Sequence, residues 1–202
     1  SGSFVTRYGV KRRELEHIQL LPNVQQVVPF REIDLGVRYF DRSESVRLIG
    51  TTETAIDVTR LRIQSGRFFK KKELQTRNNV IVIGKGLAKT LLRGINPVGK
   101  SLIIGNRYYL IIGVASSQQK PGNGLEVYLP ITTMKSLFGD LDIVRGPGSF
   151  SVNQFETSYV VVTVKNQARR EQSVEQIQEI LKHFHGKKKD YTVKLTSGTT
   201  GR

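Results

Sequence analysis

The sequence has no cysteine, which excludes a disulfide framework, a thiolate nucleophile and a cysteine-rich zinc site, and leaves the redox compartment open. Long hydrophobic runs are missing too. The longest apolar stretches, around Val80–Ile83 and Tyr108–Val114, fall far below the roughly 20 residues needed to span a bilayer. Nothing in these residues crosses a membrane by itself. The opening residues lack the basic, apolar and small-residue order of a signal peptide, and Ser1-Gly2-Ser3 has the look of an expression scar, so the chain reads as an excised piece. Acidic side chains are scarce: 17 against 32 basic ones. Only six residues are proline.

What remains is ordinary globular material. The 202 residues are 38% hydrophobic and 24% charged, with 19 glycines, enough for one domain or two small lobes that bury roughly 70% of the unfolded surface. The net charge of +15 is unevenly placed. Residues 1–62 hold 10 basic and 8 acidic side chains, residues 63–152 hold 13 and 4, and residues 153–202 hold 9 and 5. Such a surface attracts nucleic acid, anionic lipid or an acidic partner, because the field follows net charge and not partner identity. Charge alone does not choose among them.

Periodicity organises the chain. Leu15, Ile18 and Leu21 at helical spacing, stopped by Pro22, predict a helix over Lys11–Leu21. Val24–Asp34 reads as extended, and Val37–Phe40 and Ser45–Ile49 flank a polar Asp41-Arg42-Ser43-Glu44 turn, a hairpin signal. Val80–Ile83 predicts a strand feeding a helix through Leu87, Ala88, Leu91 and Leu92. Ser101–Ile104 and Arg107–Val114 form a hairpin about Gly105-Asn106, a pair suited to positive φ. Leu125–Leu129 reads as a strand, Thr132–Phe138 as a short helix, and Gly139–Gln154, with its Gly146-Pro147-Gly148, as a loop or linker. Tyr159–Val164, the helical face Val174, Ile177, Ile180, Leu181 and Phe184, a C-capping Gly186 and Tyr191–Leu195 together predict a βαβ unit.

Gly94-Ile95-Asn96-Pro97-Val98-Gly99-Lys100-Ser101 satisfies the phosphate-loop pattern G-x-x-x-x-G-K-S. That chemistry needs a strand before the loop and a helix after it, so that the helix N-terminus faces the anion. Here a helix precedes and a hairpin follows, so the segment reads as a glycine-bounded turn. Gly84-Lys85-Gly86 is a partial dinucleotide-loop match with Lys89 where the third glycine belongs. His183 and His185 are two apart on a helix and point in different directions, and His17 sits among Glu14, Glu16 and Gln19; all three read as helix surface, with no metal implied. The Lys70-Lys71-Lys72 and Lys187-Lys188-Lys189 runs lack the interleaved aromatics of a nucleic-acid surface. The Tyr and Phe residues read as core. The polar, Gly/Pro-containing loop Gln118, Gln119, Lys120, Pro121, Gly122 and Asn123 is the candidate partner-binding loop, because such loops lie on surfaces.

Taken in order, several of these segments resemble the periplasmic domain of MacB-type ABC transporter permeases. They are Leu21-Pro22-Asn23-Val24, Val27-Val28-Pro29, Leu48-Ile49-Gly50, Gly66-Arg67-Phe68-Phe69, Val80–Gly84, Asn96–Lys100, Tyr109–Val114, Tyr128-Leu129-Pro130, and Ile180-Leu181 through His185-Gly186 to Asp190–Val193. The resemblance implies an α+β fold of two subdomains. A porter-like lobe containing βαβ would come from residues 1–62 and 153–202, and an inserted, mostly β Sabre-like lobe from 63–152. It further implies a non-catalytic, cofactor-free module on the extracytoplasmic face of the bacterial inner membrane, tethered by flanking transmembrane helices. Its partners would be a periplasmic adaptor, the transporter's ATPase and a second permease copy, with ATP-driven motion passing through it for efflux. Lipoprotein-releasing relatives carry a hook-like insertion where this chain has only Gly105-Asn106-Arg107, so the resemblance favours an efflux or mechanotransmitting role. A soluble protein that binds nucleic acid or anionic surfaces is the alternative, and it predicts a steep salt slope.

Overall fold

The structure is a computed structural model that describes residues 3–7, 12–117, 123–138, 142–146, 149–153, 157–185 and 192–196. The chain opens with a short strand, β1 (Ser3–Arg7), where the sequence gives no apolar run to announce one. Helix α1 (Arg12–Gln19) buries Ile18, and its end tightens through Leu20 and Leu21 amides donating to the carbonyls of His17 and Ile18. Glu14, which the sequence places on a polar face, is buried one turn before Ile18. Strands β2 (Val24–Tyr39) and β3 (Arg42–Thr51) follow. The turn joining them is tighter than the four-residue one expected, with Phe40 at φ 51°, a left-handed conformation unusual for an aromatic residue.

A short helix, α2 (Ala55–Val58), leads to β4 (Leu61–Gly66) and α3 (Lys71–Gln75). Strand β5 (Val80–Gly84) is buried at all five residues and runs directly into α4 (Lys85–Leu91). The expected hairpin is present as β6 (Ser101–Ile104) and β7 (Arg107–Ser117), with Gly105 at φ +61° in the turn. Next come β8 (Glu126–Pro130) and α5 (Ile131–Phe138). The segment expected to be a linker instead holds two antiparallel strands, β9 (Asp142–Gly146) and β10 (Ser149–Asn153). Proline and glycine between two β-capable runs mark a turn as readily as a linker. Strand β11 (Tyr159–Val164), helix α6 (Arg170–His185) and β12 (Thr192–Thr196) complete the βαβ unit. The proposed cap Gly186 lies outside the described residues.

The chain divides into two compact units, Ser1–Arg31 with Phe138–Arg202, and Glu32–Leu137. The joints expected from sequence lie at 62/63 and 152/153; the contact division lies at 31/32 and 137/138. Residues 32–62 fall in the middle unit because β3 pairs with β8 and the second half of β2 pairs with β6.

In the unit built from both chain ends the strand order is β12-β1-β11-β2, antiparallel throughout. Strands β11 and β12 are therefore parallel with β1 threaded between them, and β1 and β2 are parallel with β11 between. These two interlocked βαβ units are the ferredoxin-like arrangement. Helices α1 and α6 share one core with the sheet, built from Ile18, Val24, Val160, Val162, Val164, Ile177 and Leu181. The turn leaving α1 is tied to the turn entering α6. Asn23 donates from Nδ2 to Ser173 Oγ at 2.8 Å and accepts at Oδ1 from the Asn166 amide at 2.9 Å.

In the middle unit the pairings run β2-β3-β8-β5-β7, and β6 pairs with both β7 and β2. Six strands thus close a ring, a small barrel with β4 added along β7. Its interior holds Val37, Val46, Leu48, Ile81, Ile83, Leu102, Ile104, Tyr109, Ile111, Val127 and Leu129, together with Leu87, Leu91 and Leu92 of the α4 segment. Each such aliphatic side chain contributes about 1.5–3 kcal/mol when fully buried. Residues alternating with these point outward. Over β5 and β8 that exterior is covered: Val82 is fully buried, and Tyr128 packs against Phe68, which stacks on Phe69.

Candidate functional site

Of the candidate partner loop, residues 118–122 lie outside the described residues and Asn123 is exposed. The structure does show how the loop returns to the barrel. A Cβ on Gly86 would stand 1.7 Å from the Asn123 carbonyl oxygen, and the Leu87 amide donates to the Gly124 carbonyl at 3.0 Å, with Gly124 at φ +69°. The two glycines of the partial dinucleotide motif therefore admit the chain's own backbone. The place a phosphate would take at the start of α4 is filled by residues 123 and 124.

The phosphate-loop match is likewise occupied from within. It follows α4 and enters β6, the reverse of the required order. Its amides are already donors: Ile95 to Leu92 O at 2.7 Å, Val98 to Asn96 Oδ1 at 3.2 Å, Gly99 to Ile111 O at 2.8 Å and Lys100 to Pro97 O at 3.0 Å. Gly94 and Gly99 supply φ values of +75° and +88°, which a turn needs and L side chains resist.

His17 and His183 meet at Phe184. Among the described residues no group of three or more His, Asp or Glu side chains is placed to hold one. His17 donates from Nδ1 to the Arg13 carbonyl at 2.7 Å. Its ring and that of His183 both meet Phe184 edge-on, at 5.1 and 5.5 Å. These three residues, with Leu21, Gln176, Glu179 and Ile180, line an open groove of about 410 Å³ between α1 and α6. It presents rings and aliphatic side chains with one carboxylate and one amide. The side chain of His185 lies outside the described residues.

One ion pair is organised well beyond its neighbours. Arg67 donates to both carboxylate oxygens of Glu73, at 3.1 and 2.5 Å, and the Lys70 amide donates to Glu73 Oε2 at 2.6 Å, closing the start of α3. The guanidinium bond holds the Glu73 carboxyl below the usual carboxylate range; burial opposes it and the Lys70 amide assists. Two neighbouring hydrogen bonds, from Thr132 Oγ1 to Leu74 O and from Thr133 Oγ1 to Asn78 O, fasten this cover to α5. The pair therefore holds the Phe68-Phe69 cover on the barrel.

Among the described residues nothing comparable covers the exterior of β6 and β7. Tyr108 is 69% exposed and Leu110 43%. Tyr108 stands opposite Ile103, which stands opposite Arg38 on β2, and Leu110 stands between Ser101 and Val80. The expectation that the aromatic residues are core is corrected here, and also at Phe40, Phe138 and Phe184, which are exposed. The signal was in the sequence: neighbours on a strand face opposite sides, so if Tyr109 is inside, Tyr108 is outside. Among the described residues no helix is long and apolar enough to cross a membrane.

Comparison with known proteins adds the lineage. Residues 3–180 match the family model of the MacB-like periplasmic core domain. The macrolide export ATP-binding/permease protein MacB of Aggregatibacter actinomycetemcomitans is 30% identical over 166 residues, which are 78% of this chain and 24% of that protein. The chain thus spans about a quarter of that relative's length. Among solved structures, the periplasmic region of MacB from Actinobacillus actinomycetemcomitans aligns with a TM-score of 0.77 at 20% identity, covering 98% of this chain and 94% of that one. The extracellular domain of the noncanonic ABC-type transporter YknZ from Gram-positive bacteria aligns at 0.77 and 22% identity, covering 95% and 98%.

Proposed function

This chain belongs to the family of MacB-like periplasmic core domains, and from that premise we propose that it is the extracytoplasmic domain of an ABC transporter permease that binds a periplasmic adaptor and passes on ATP-driven motion for efflux. The observation that carries this reading is the extent of the family match, residues 3–180, which takes in the middle unit and most of the terminal one. In this reading the unit of both chain ends is the porter-like lobe and the middle barrel the Sabre-like one. The ATPase, the membrane helices and a second permease copy complete the transporter outside these residues, and the domain itself carries out no chemistry. Supporting this, four amides of the segment that mimics a nucleotide loop are engaged by Leu92, Asn96, Pro97 and Ile111 of the chain itself.

The test is retention of the purified chain by an immobilised membrane-fusion-type adaptor, alongside thermal unfolding with and without Mg-ATP. Retention with an unchanged melting temperature is the expected result, and Lys100→Ala leaves both unaltered. Absence of retention, or ATP stabilisation that Lys100→Ala removes, overturns the reading. Tight DNA binding with a steep negative salt slope would install the nucleic-acid alternative in its place.

A further inference from the structure

The barrel exterior changes character part-way round. Over β5 and β8 it is sealed by Phe68 and Phe69, whereas past β5 the apolar surface continues through Leu110, Tyr108 and Ile103 with no cover among the described residues. A cation stands on the bare stretch: Arg38 is exposed and lies in the same cross-strand row as Ile103 and Tyr108. Lys100 and Arg107, exposed at the ends of β6 and β7, stand beside the interior residues Ile111 and Ile104 and add to the field of the barrel without lying in that row. Between residues 58 and 125 the sequence holds 13 basic side chains and one carboxylate, Glu73, and Glu73 is engaged by Arg67. On the β2 face, Asp34 is paired with Arg47 at 3.7 Å. A second copy of this chain would bring cation against cation, so charge complementarity points to an acidic occupant.

We propose that the outer face of β2, β6 and β7 is the docking face for an acidic protein partner: a segment whose apolar side chains cover Ile103, Tyr108 and Leu110 and whose flanking carboxylates meet Arg38. The proposal rests on the adaptor-binding reading and says where, and by what chemistry, the adaptor is met. Tyrosine and arginine are the residues that most often dominate such interfaces, since the ring buries much area at little entropic cost and the guanidinium grips a carboxylate at two points.

The chain has no tryptophan, so Tyr108→Trp installs a single reporter on this face. The probes are a synthetic peptide alternating glutamate with leucine, the same peptide with lysine for glutamate, and phosphatidylglycerol vesicles. A saturable blue shift of the emission with the glutamate peptide alone is expected, with affinity falling about tenfold or more when Arg38→Glu is added. Absence of that shift, a comparable shift with vesicles, or a shift produced by concentrating the protein alone each overturns the proposal, the last two in favour of a membrane or a second copy. The adaptor is then presented to the wild type and to Tyr108→Glu/Leu110→Glu, with circular dichroism verifying that the variant is folded. Retention of the wild type only is expected. Retention of both overturns this face and leaves the adaptor reading standing, while retention of neither overturns the adaptor reading and this proposal with it.

Discussion

The two units solve the same problem, covering one apolar sheet face, in opposite ways. The unit of both chain ends lays two helices over an open sheet, and its core is shared between helix and strand through Ile177, Leu181, Val160 and Val162. The middle unit wraps the sheet on itself, so the same kind of side chain, such as Ile81 or Leu48, is enclosed by strands that hydrogen-bond in a ring. A helix on a sheet can settle toward a gap, because nothing but packing fixes its height. A ring of strands is held by its ladders and yields less. The barrel also acquires an outer surface, which over β5 and β8 is covered by the Phe68-Phe69 segment held by the Arg67–Glu73 pair, while the open sheet buries Val28, Phe30 and Val161 on the face away from its helices, where Phe30 stacks on Tyr159.

The sharpest way to break this contrast is a matched pair of truncations. Ile81 and Ile177 are both fully buried, so Ile81→Ala and Ile177→Ala delete the same atoms from the two designs. Both lie in the range of about 2–5 kcal/mol, with the cost set by how far the site collapses. Ile81→Ala is expected at about 4 kcal/mol and Ile177→Ala nearer 2 kcal/mol, read from urea unfolding. Equal costs would remove the distinction. A smaller effect comes from Gly86→Ala, whose added Cβ collides with the Asn123 carbonyl. Overpacking of this kind costs about 1–3 kcal/mol, and faster hydrogen exchange of the Leu87 amide should report the displaced loop end. Smallest is Glu73→Gln, which weakens a charge-assisted cap worth about 1 kcal/mol, a figure held down because Arg67 is half exposed and its charge is screened. Its pH signature is distinctive. The folded carboxyl is lowered, so the wild type keeps this contribution above the unfolded value of about 4.3 and loses it as pH falls through the folded one. The Gln variant should show a flatter stability profile in that acid window.

Local patterns gave the elements that local physics determines. The Tyr159–Val164 strand, the helix presenting Val174, Ile177 and Leu181, and the Gly105-Asn106 hairpin were legible because β-branched runs, helical spacing and a positive-φ turn pair each act within a few residues. Strand β1 was not legible: five residues with no periodicity become a strand only when β11 and β12 close on both sides. Ring closure was hidden for the same reason, since it depends on Arg47 meeting Glu126 and Val37 meeting Ile104. At the candidate sites, strand order before and after Gly94–Ser101 was enough to refuse a nucleotide loop. The role of Gly84 and Gly86 was out of reach, because the backbone they admit arrives from residues 123 and 124. The exposed Tyr108 was reachable through alternation alone and was set aside by a general preference of aromatics for the interior.

The interlocked order of the terminal sheet carries a consequence for how the polypeptide is made. Residues 3–7 are made before the other strands of this sheet, yet their two neighbours are residues 159–164 and 192–196, so at about 5–20 residues per second β1 waits without a partner until the whole middle unit has been made. Residues 32–137 meanwhile contain five strands of the closed ring and the second half of the sixth, β2. The barrel can be complete while the ends are still searching, and the last strand to be made, not the first, sets the moment at which the whole domain is native.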